Sequence, residues 1–183
     1  MSIKTVQISI KGSSPLLMHA YPMEMPEAMD KKTVADQAEI AAYRDPDTHR
    51  LYLPGVAVQR CFVVAAAYSK GKGRASLQKN AAACFLVDPE RIDLGVKDYK
   101  IDSRPVVIAA TKGRIVRHRP RIDVWEVTFT LEFDDTLLKE EEVRRIVDDA
   151  GKRVGLLDFR PAKNGPFGKF FVTKWKAEKS TKD

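Results

Sequence analysis

The order of elements read along the chain predicts an α+β domain of the βαββαβ, ferredoxin-like kind: an antiparallel sheet with helices on one face, a β-hairpin extension and long loop insertions. Three observations carry it. Ile3 to Ile10 alternates apolar with polar residues, the period of a half-buried strand. Val124 to Phe133 alternates more strictly, with Trp125, Val127, Phe129, Leu131 and Phe133 on the buried side. Leu138 to Val154 is an amphipathic helix whose Val143, Ile146, Val147, Ala150 and Val154 recur at helical spacing.

Between these anchors the other elements follow in order. Residues 12–50 form a long, weakly periodic excursion marked by Gly12, Pro15, Pro22, Pro26 and Pro46, with a short helix around Lys32 to Tyr43. Leu51-Tyr52-Leu53 reads as a brief strand. Pro54-Gly55 then opens a nearly buried helix, Val56 to Tyr68, because proline suits a first helical turn. Ser69 to Arg74 is a basic glycine loop, followed by a short helix Ala75 to Ala83 and a strand Cys84 to Val87. Tyr99 to Ala109 and Ile115 to Phe133 are strand-like and joined as a hairpin through Thr111-Lys112-Gly113-Arg114. Glu140, Glu141 and Glu142 begin the last helix and Lys152 and Arg153 end it, matching its dipole. Gly155 to Gly168 is a loop, Lys169 to Trp175 the closing strand. Residues 1–176 are expected to form a single domain, 177–183 a polar tail.

The chain has 183 residues, 44% hydrophobic and 31% charged, enough for one sizeable core without staples and unlike a disordered polymer. No apolar run is long enough for a membrane span and Met1 to Val6 alternates, so a cytoplasmic protein with no membrane partner is expected. Cys61 and Cys84 sit in apolar runs without metal-ligand spacing and read as reduced core thiols.

The net charge of +7 points toward polyanions, and its distribution is the sharper signal. Acids are missing from three stretches: Thr48 to Val87, with Arg60, Lys70, Lys72 and Arg74; Ser103 to Ile122, with Lys112, Arg114, Arg117 and Arg119; and Phe159 to Ala177, with Arg160, Lys163 and Lys169. Such segregation suits a one-sided basic face; the alternative is solvated charges that never converge. In the last stretch Phe167 stands among glycines and cations, a mixture that suits phosphate contact and base stacking, or else loop geometry and core packing.

Enzymatic patterns are weak. His19, His49 and His118 lie on separate segments without a nucleophile motif, and no Gly-rich phosphate loop of the Walker type occurs. Asp45-Pro46-Asp47 reads as a turn, Asp134-Asp135 as a helix cap and Asp148-Asp149 as a polar helix side.

Three ordered segments resemble the RAMP superfamily, whose members form the backbone of CRISPR effector complexes. Tyr43-Arg44-Asp45-Pro46-Asp47 through Leu53-Pro54-Gly55 resembles the family's Arg-Asp-Pro and Pro-Gly segment leading into its first helix. Ile3 to Ile10 with Ser13 to His19 resembles the opening strand and turn, and Gly155 to Phe170 the closing glycine-rich loop. The chain departs from the family after Pro54-Gly55, where Val56-Ala57-Val58-Gln59-Arg60 replaces the usual Ser-Ser-x-Lys-Gly and puts Arg60 near the lysine's place. Glu39 stands where some members carry a cleaving Asp, with Asp36 further back.

The resemblance implies an RRM- and RAMP-type fold that binds guide or target RNA along its backbone in repeating assemblies. Its hairpin thumb corresponds in position to Thr111 to Arg114 with Arg117, His118, Arg119 and Arg121 behind. The expectation is a non-catalytic protein without a cofactor, contacting single-stranded RNA, or DNA, with His19, Arg60, Lys70, Lys72, Arg74, Lys112, Arg114, Arg117, Arg119, Arg160, Lys163, Phe167 and Lys169. Self-association or other effector-complex subunits are its expected partners. The competing readings are a structural or regulatory module that docks on or mimics such an assembly, and a metal-dependent ribonuclease using Glu39, Asp36 or His19.

Overall fold

A computed structural model describes residues 2–22, 31–71, 75–108 and 110–177. Two long alternating strands at its centre, β1 (Ile3–Gly12) and β8 (Glu126–Asp134), pair antiparallel from Ile3↔Asp134 to Lys11↔Glu126. Alternation places Val6, Ile8 and Ile10 and Val127, Phe129, Leu131 and Phe133 on one buried face. The opposite face is polar; there Ser9 Oγ and Thr128 Oγ1 share a hydrogen bond of 2.8 Å. β4 (Leu86–Asp88) and β9 (Phe170–Ala177) flank the pair, giving a four-stranded sheet in the order β4-β8-β1-β9, antiparallel throughout.

Two helices cover the buried face. α2 (Gly55–Ala65) begins at Pro54 and continues as a 3-10 turn, Ala66–Tyr68, so the helix expected over Val56 to Tyr68 is present. Its Phe62 ring lies 6.0 Å from that of Phe129. α4 (Glu140–Asp149) buries Val143, Ile146 and Val147, and its Glu140 accepts a 3.0 Å hydrogen bond from Trp175 Nε1 of β9. It starts later than the Asp134-Asp135 cap anticipated: Asp134 instead accepts from Thr136 N in the preceding turn, and Glu142 accepts from Lys139 N at 2.9 Å. Its last turn, Ala150–Val154, is π-helical. Smaller helices α1 (Val34–Ile40) and α3 (Gln78–Cys84) complete the set.

β9 carries a bulge. Its register against β1 shifts between Ser9 and Ile10, so that Ile8 faces Trp175 while Ile10 faces Val172. Phe170 and Trp175, an odd number of positions apart, consequently both point toward the helices.

The expected strand Ile115 to Phe133 is in fact two strands in different sheets. β7 (Arg114–Ile122) pairs with β6 (Lys100–Val107) as a long hairpin, and with the two-residue β2 (Leu16–Leu17) at its base. The break has a physical cause at residues 123–125: Asp123 is held by Arg121 and Lys100 at 2.6 and 2.7 Å, while Trp125 turns inward and donates to Ser14 O at 2.9 Å. A small ribbon of β3 (Tyr52–Pro54) and β5 (Arg91–Asp93) lies beside α2.

Candidate nucleic-acid interface

The glycine loop between α4 and β9 is positioned by its backbone. Gly155 and Gly168 have φ of 72° and 71°, and a Cβ on Gly168 would fall 2.1 Å from Leu156 O. Their closeness closes the loop through Leu156 N to Gly168 O at 2.9 Å, and Gly168 N and Asp158 N tie it to Pro15 O and Leu17 O at 2.8 and 3.0 Å. Leu157 and Phe159 also occupy the left-handed region, at φ 58° and 45°, a strained setting for non-glycine residues. The strain turns Asp158, between them, toward the hairpin.

A cleft of about 280 Å³ opens between this loop and the first turns of α2. Ala57, Arg60, Cys61 and Val64 form one wall, Val154, Gly155, Leu157, Asp158 and Arg160 the other, and His19 and Tyr43 complete the rim. Arg60 is exposed and makes no ion pair or hydrogen bond among the described residues. Arg160 donates through one nitrogen to Leu157 O at 2.6 Å and has no carboxylate partner. The Tyr43 hydroxyl makes no hydrogen bond among the described residues, and burial raises its pKa, keeping it a neutral donor.

Among the described residues, Asp158 is the one carboxylate lining the cleft, and it is already engaged by cationic and hydrogen-bonding neighbours. It accepts hydrogen bonds from His19 Nδ1 at 3.3 Å, from Arg119 and from Phe159 N at 2.9 Å. Burial pushes its pKa up, but the bonds from His19 and Arg119 and the Arg119 charge outweigh this and hold the carboxyl well below its usual range. Arg117 Nη1 lies 3.3 Å from His19 Nε2. His19 thus bridges Asp158 of the glycine loop and Arg117 of the hairpin through its two ring nitrogens.

On the hairpin face toward the loop, residues alternate as Arg117, Arg119 and Arg121 on β7 opposite Arg104 and Asp102 on β6. Arg104 binds Asp102 at 2.7 and 2.5 Å and lies 4.8 Å from the Phe167 ring; Arg121 binds Asp123 and also approaches Phe167, at 5.8 Å. Two expected contact residues are therefore corrected. Arg119 is only 4% exposed and faces Asp158 and Asp102, and Phe167 is likewise 4% exposed, against Phe159 and the two arginines. Neither presents itself to solvent.

The remaining sequence-predicted residues fall into groups. His19, Arg60 and Arg160 meet at the cleft, with Arg117 behind His19 and exposed Lys163 on the 3-10 turn just after Arg160. Lys112 and Arg114 are exposed at the hairpin end. Lys70 and Lys169 are exposed but do not line the cleft. Lys72 and Arg74 lie outside the described residues. Tyr43 and Asp158 were missed as site residues; an acid isolated within a glycine- and arginine-marked loop was the available signal for Asp158. Of the residues weighed for a nuclease, Glu39 binds Arg44 and accepts from Tyr99 Oη at 2.8 Å, and Asp36 sits beside Thr33, its backbone N–H donating to Thr33 Oγ1 at 3.1 Å. The Arg44 hydrogen bond lowers the Glu39 pKa. Among the described residues there is no cluster of His, Cys, Asp and Glu able to hold a metal ion, and no helix long and apolar enough to cross a membrane.

No family model and no curated protein matches the chain. Among solved structures, a chain in the cryo-EM structure of the Type III-B Cmr-beta bound to cognate target RNA matches with a TM-score of 0.53 and 11% sequence identity. The match covers 96% of this chain and 61% of that one, so the chain spans less than two thirds of its neighbour's length. At that identity the likeness is one of fold: this chain is an α+β protein built like part of a Cmr-beta subunit.

Proposed function

We propose that the chain is a RAMP-like, non-catalytic protein that binds single-stranded nucleic acid, with RNA favoured, through backbone phosphates, as a repeating subunit of a nucleoprotein assembly. The observation that carries this reading is the cleft between α2 and the glycine loop. Arg60, Arg160 and the Tyr43 hydroxyl converge there without carboxylate partners, and its single acid is compensated by Arg119 and His19. The sheet order β4-β8-β1-β9, with α2 and α4 as its crossovers, supports a ferredoxin-like arrangement in a single domain over residues 1–176. The Cmr-beta neighbour, bound to target RNA, favours RNA and multisubunit partners.

The test is fluorescence anisotropy with labelled single strands of about 30 nucleotides across a salt series, with duplex as control; log affinity should fall by about 0.7 per log unit of salt for each phosphate neutralised. RNA binding with a slope worth several charges is expected. No binding at low salt would overturn the reading.

A second reading, a docking module for an assembly, draws on the hairpin, where Val107, Val116 and Ile115 are 57%, 55% and 37% exposed. Self-association or partner capture without nucleic acid would move it to first place.

A further inference from the structure

The cleft is larger and more apolar than a phosphate site requires. Its volume of about 280 Å³ lies near the lower bound of about 300 Å³ for pockets that enclose small organic molecules. One water takes about 30 Å³ of the liquid, so an oxyanion alone would leave most of the space to solvent. Ala57, Val64, Val154 and Leu157 supply hydrocarbon on both walls, and contact with hydrocarbon gains a phosphate nothing. The Cys61 thiol between them adds no charge, because burial pushes its pKa up to about 12. The polar groups are few: Arg60 and Arg160 in the walls, His19 and the Tyr43 hydroxyl at the rim, and the Asp158 carboxylate, which is held by Arg119 and His19. Largely apolar walls that also carry cations match a flat aromatic heterocycle carried on a phosphate.

Building on the single-strand reading above, we infer that the cleft takes one unstacked nucleotide, its base between the Ala57–Val64 wall and the Val154–Leu157 wall and its phosphate on Arg60 and Arg160. Tyr43 supplies a hydrogen bond to the base or sugar. The strand is then held at two levels: phosphates by charge, which salt screens, and one base by burial, which it does not.

The experiment titrates uridine 5′-monophosphate, adenosine 5′-monophosphate, ribose 5-phosphate and inorganic phosphate into the full chain carrying methyl-labelled valine. Both nucleotides are expected to move the Val64 and Val154 methyl signals and to saturate near about 1 mM. Ribose 5-phosphate and phosphate are expected to leave those methyls nearly still. Equal movement with phosphate, or none with either nucleotide at ten times that concentration, would overturn the inference. Filling the cleft with Val64→Phe should abolish the nucleotide response at Val154; if that variant unfolds, Ala57→Leu serves the same purpose. The two readings fail separately. Steep, salt-dependent RNA binding without a methyl response removes the base pocket alone, whereas a methyl response without oligonucleotide binding removes the backbone reading and leaves a nucleotide site.

Discussion

The cleft and the β6–β7 hairpin are both rich in arginine, and the arginines do opposite things. In the hairpin, Arg104, Arg119 and Arg121 are engaged by Asp102, Asp158 and Asp123 and by the ring of Phe167. At the cleft, Arg60 and Arg160 form no ion pair among the described residues, the Asp158 carboxylate there being held by Arg119 and His19. A cation in the sequence is available to a ligand only when the fold leaves it unpaired, and pairing is decided by strand register. Asp102 lies directly across from Arg119, Arg104 lies two residues from Asp102 on the same side of β6, and Arg121 reaches Asp123 just past the end of β7.

The sharpest way to break this comparison is to remove Arg119. Arg119→Met removes the Arg119 hydrogen bond and charge from Asp158, leaves Asp102 to Arg104 alone, and should cost about 3 kcal/mol in urea unfolding. If it instead left stability unchanged and weakened RNA binding, the division between structural and ligand-facing arginines would fall. Phe167→Ala should destabilise to a similar extent, about 3 kcal/mol, because a buried ring packed on Phe159 is lost.

At the cleft the expectation reverses. Arg60→Ala with Arg160→Ala should leave the unfolding midpoint nearly unchanged but lower single-strand affinity about tenfold, and reduce the salt slope by about 1.4, two charges at 0.7 each. Lys112→Ala or Arg114→Ala at the hairpin end should give the smallest change, at most about 0.7 in slope and nothing in stability.

Acid titration sharpens the same contrast. The Asp158 pKa is depressed in the folded chain, so the carboxylate contributes stability above the unfolded value of about 3.9 and loses it as pH falls below that toward the folded value. Wild type should therefore lose stability below about pH 4 more steeply than Asp158→Asn. Parallel curves for the two proteins would show that the Asp158 cluster is not linked to folding.

Much of the frame was legible in the sequence. Ile3–Ile10, the Trp125–Phe133 alternation, the Pro-Gly start of α2 and the amphipathic α4 all follow from local periodicity, and each is present. The break between β7 and β8 was not, because Arg121-Ile122-Asp123-Val124 continues the alternation and only the corner formed with Ser14 and Lys100 ends it. At the site, His19, Arg60 and Arg160 were named from their separate segments, but that these three meet at one cleft while Lys70 and Lys169 do not is given only by the tertiary fold. The burial of Arg119 and Phe167 depends on contacts more than 30 residues away, which no local pattern encodes. Tyr43 looked like part of a turn motif, and only the tertiary packing of the excursion brings it to the cleft.

The bulge in β9 makes facing in that strand a matter of counting. One additional residue lets Phe170 and Trp175 share a side, so the strand behaves like a message with a single inserted letter. Substitutions along β9 are tolerable one at a time, and deleting Thr173 would straighten the strand without turning either ring: Phe170 and Trp175, then four positions apart, still face the helices, and what is lost is the bend together with the Thr173 hydroxyl bonds to Ser9 O and Glu126. The inserted residue therefore sets how the strand bends between the cleft and the end of the sheet, and leaves which side its aromatic rings face to the ordinary alternation on either side of it.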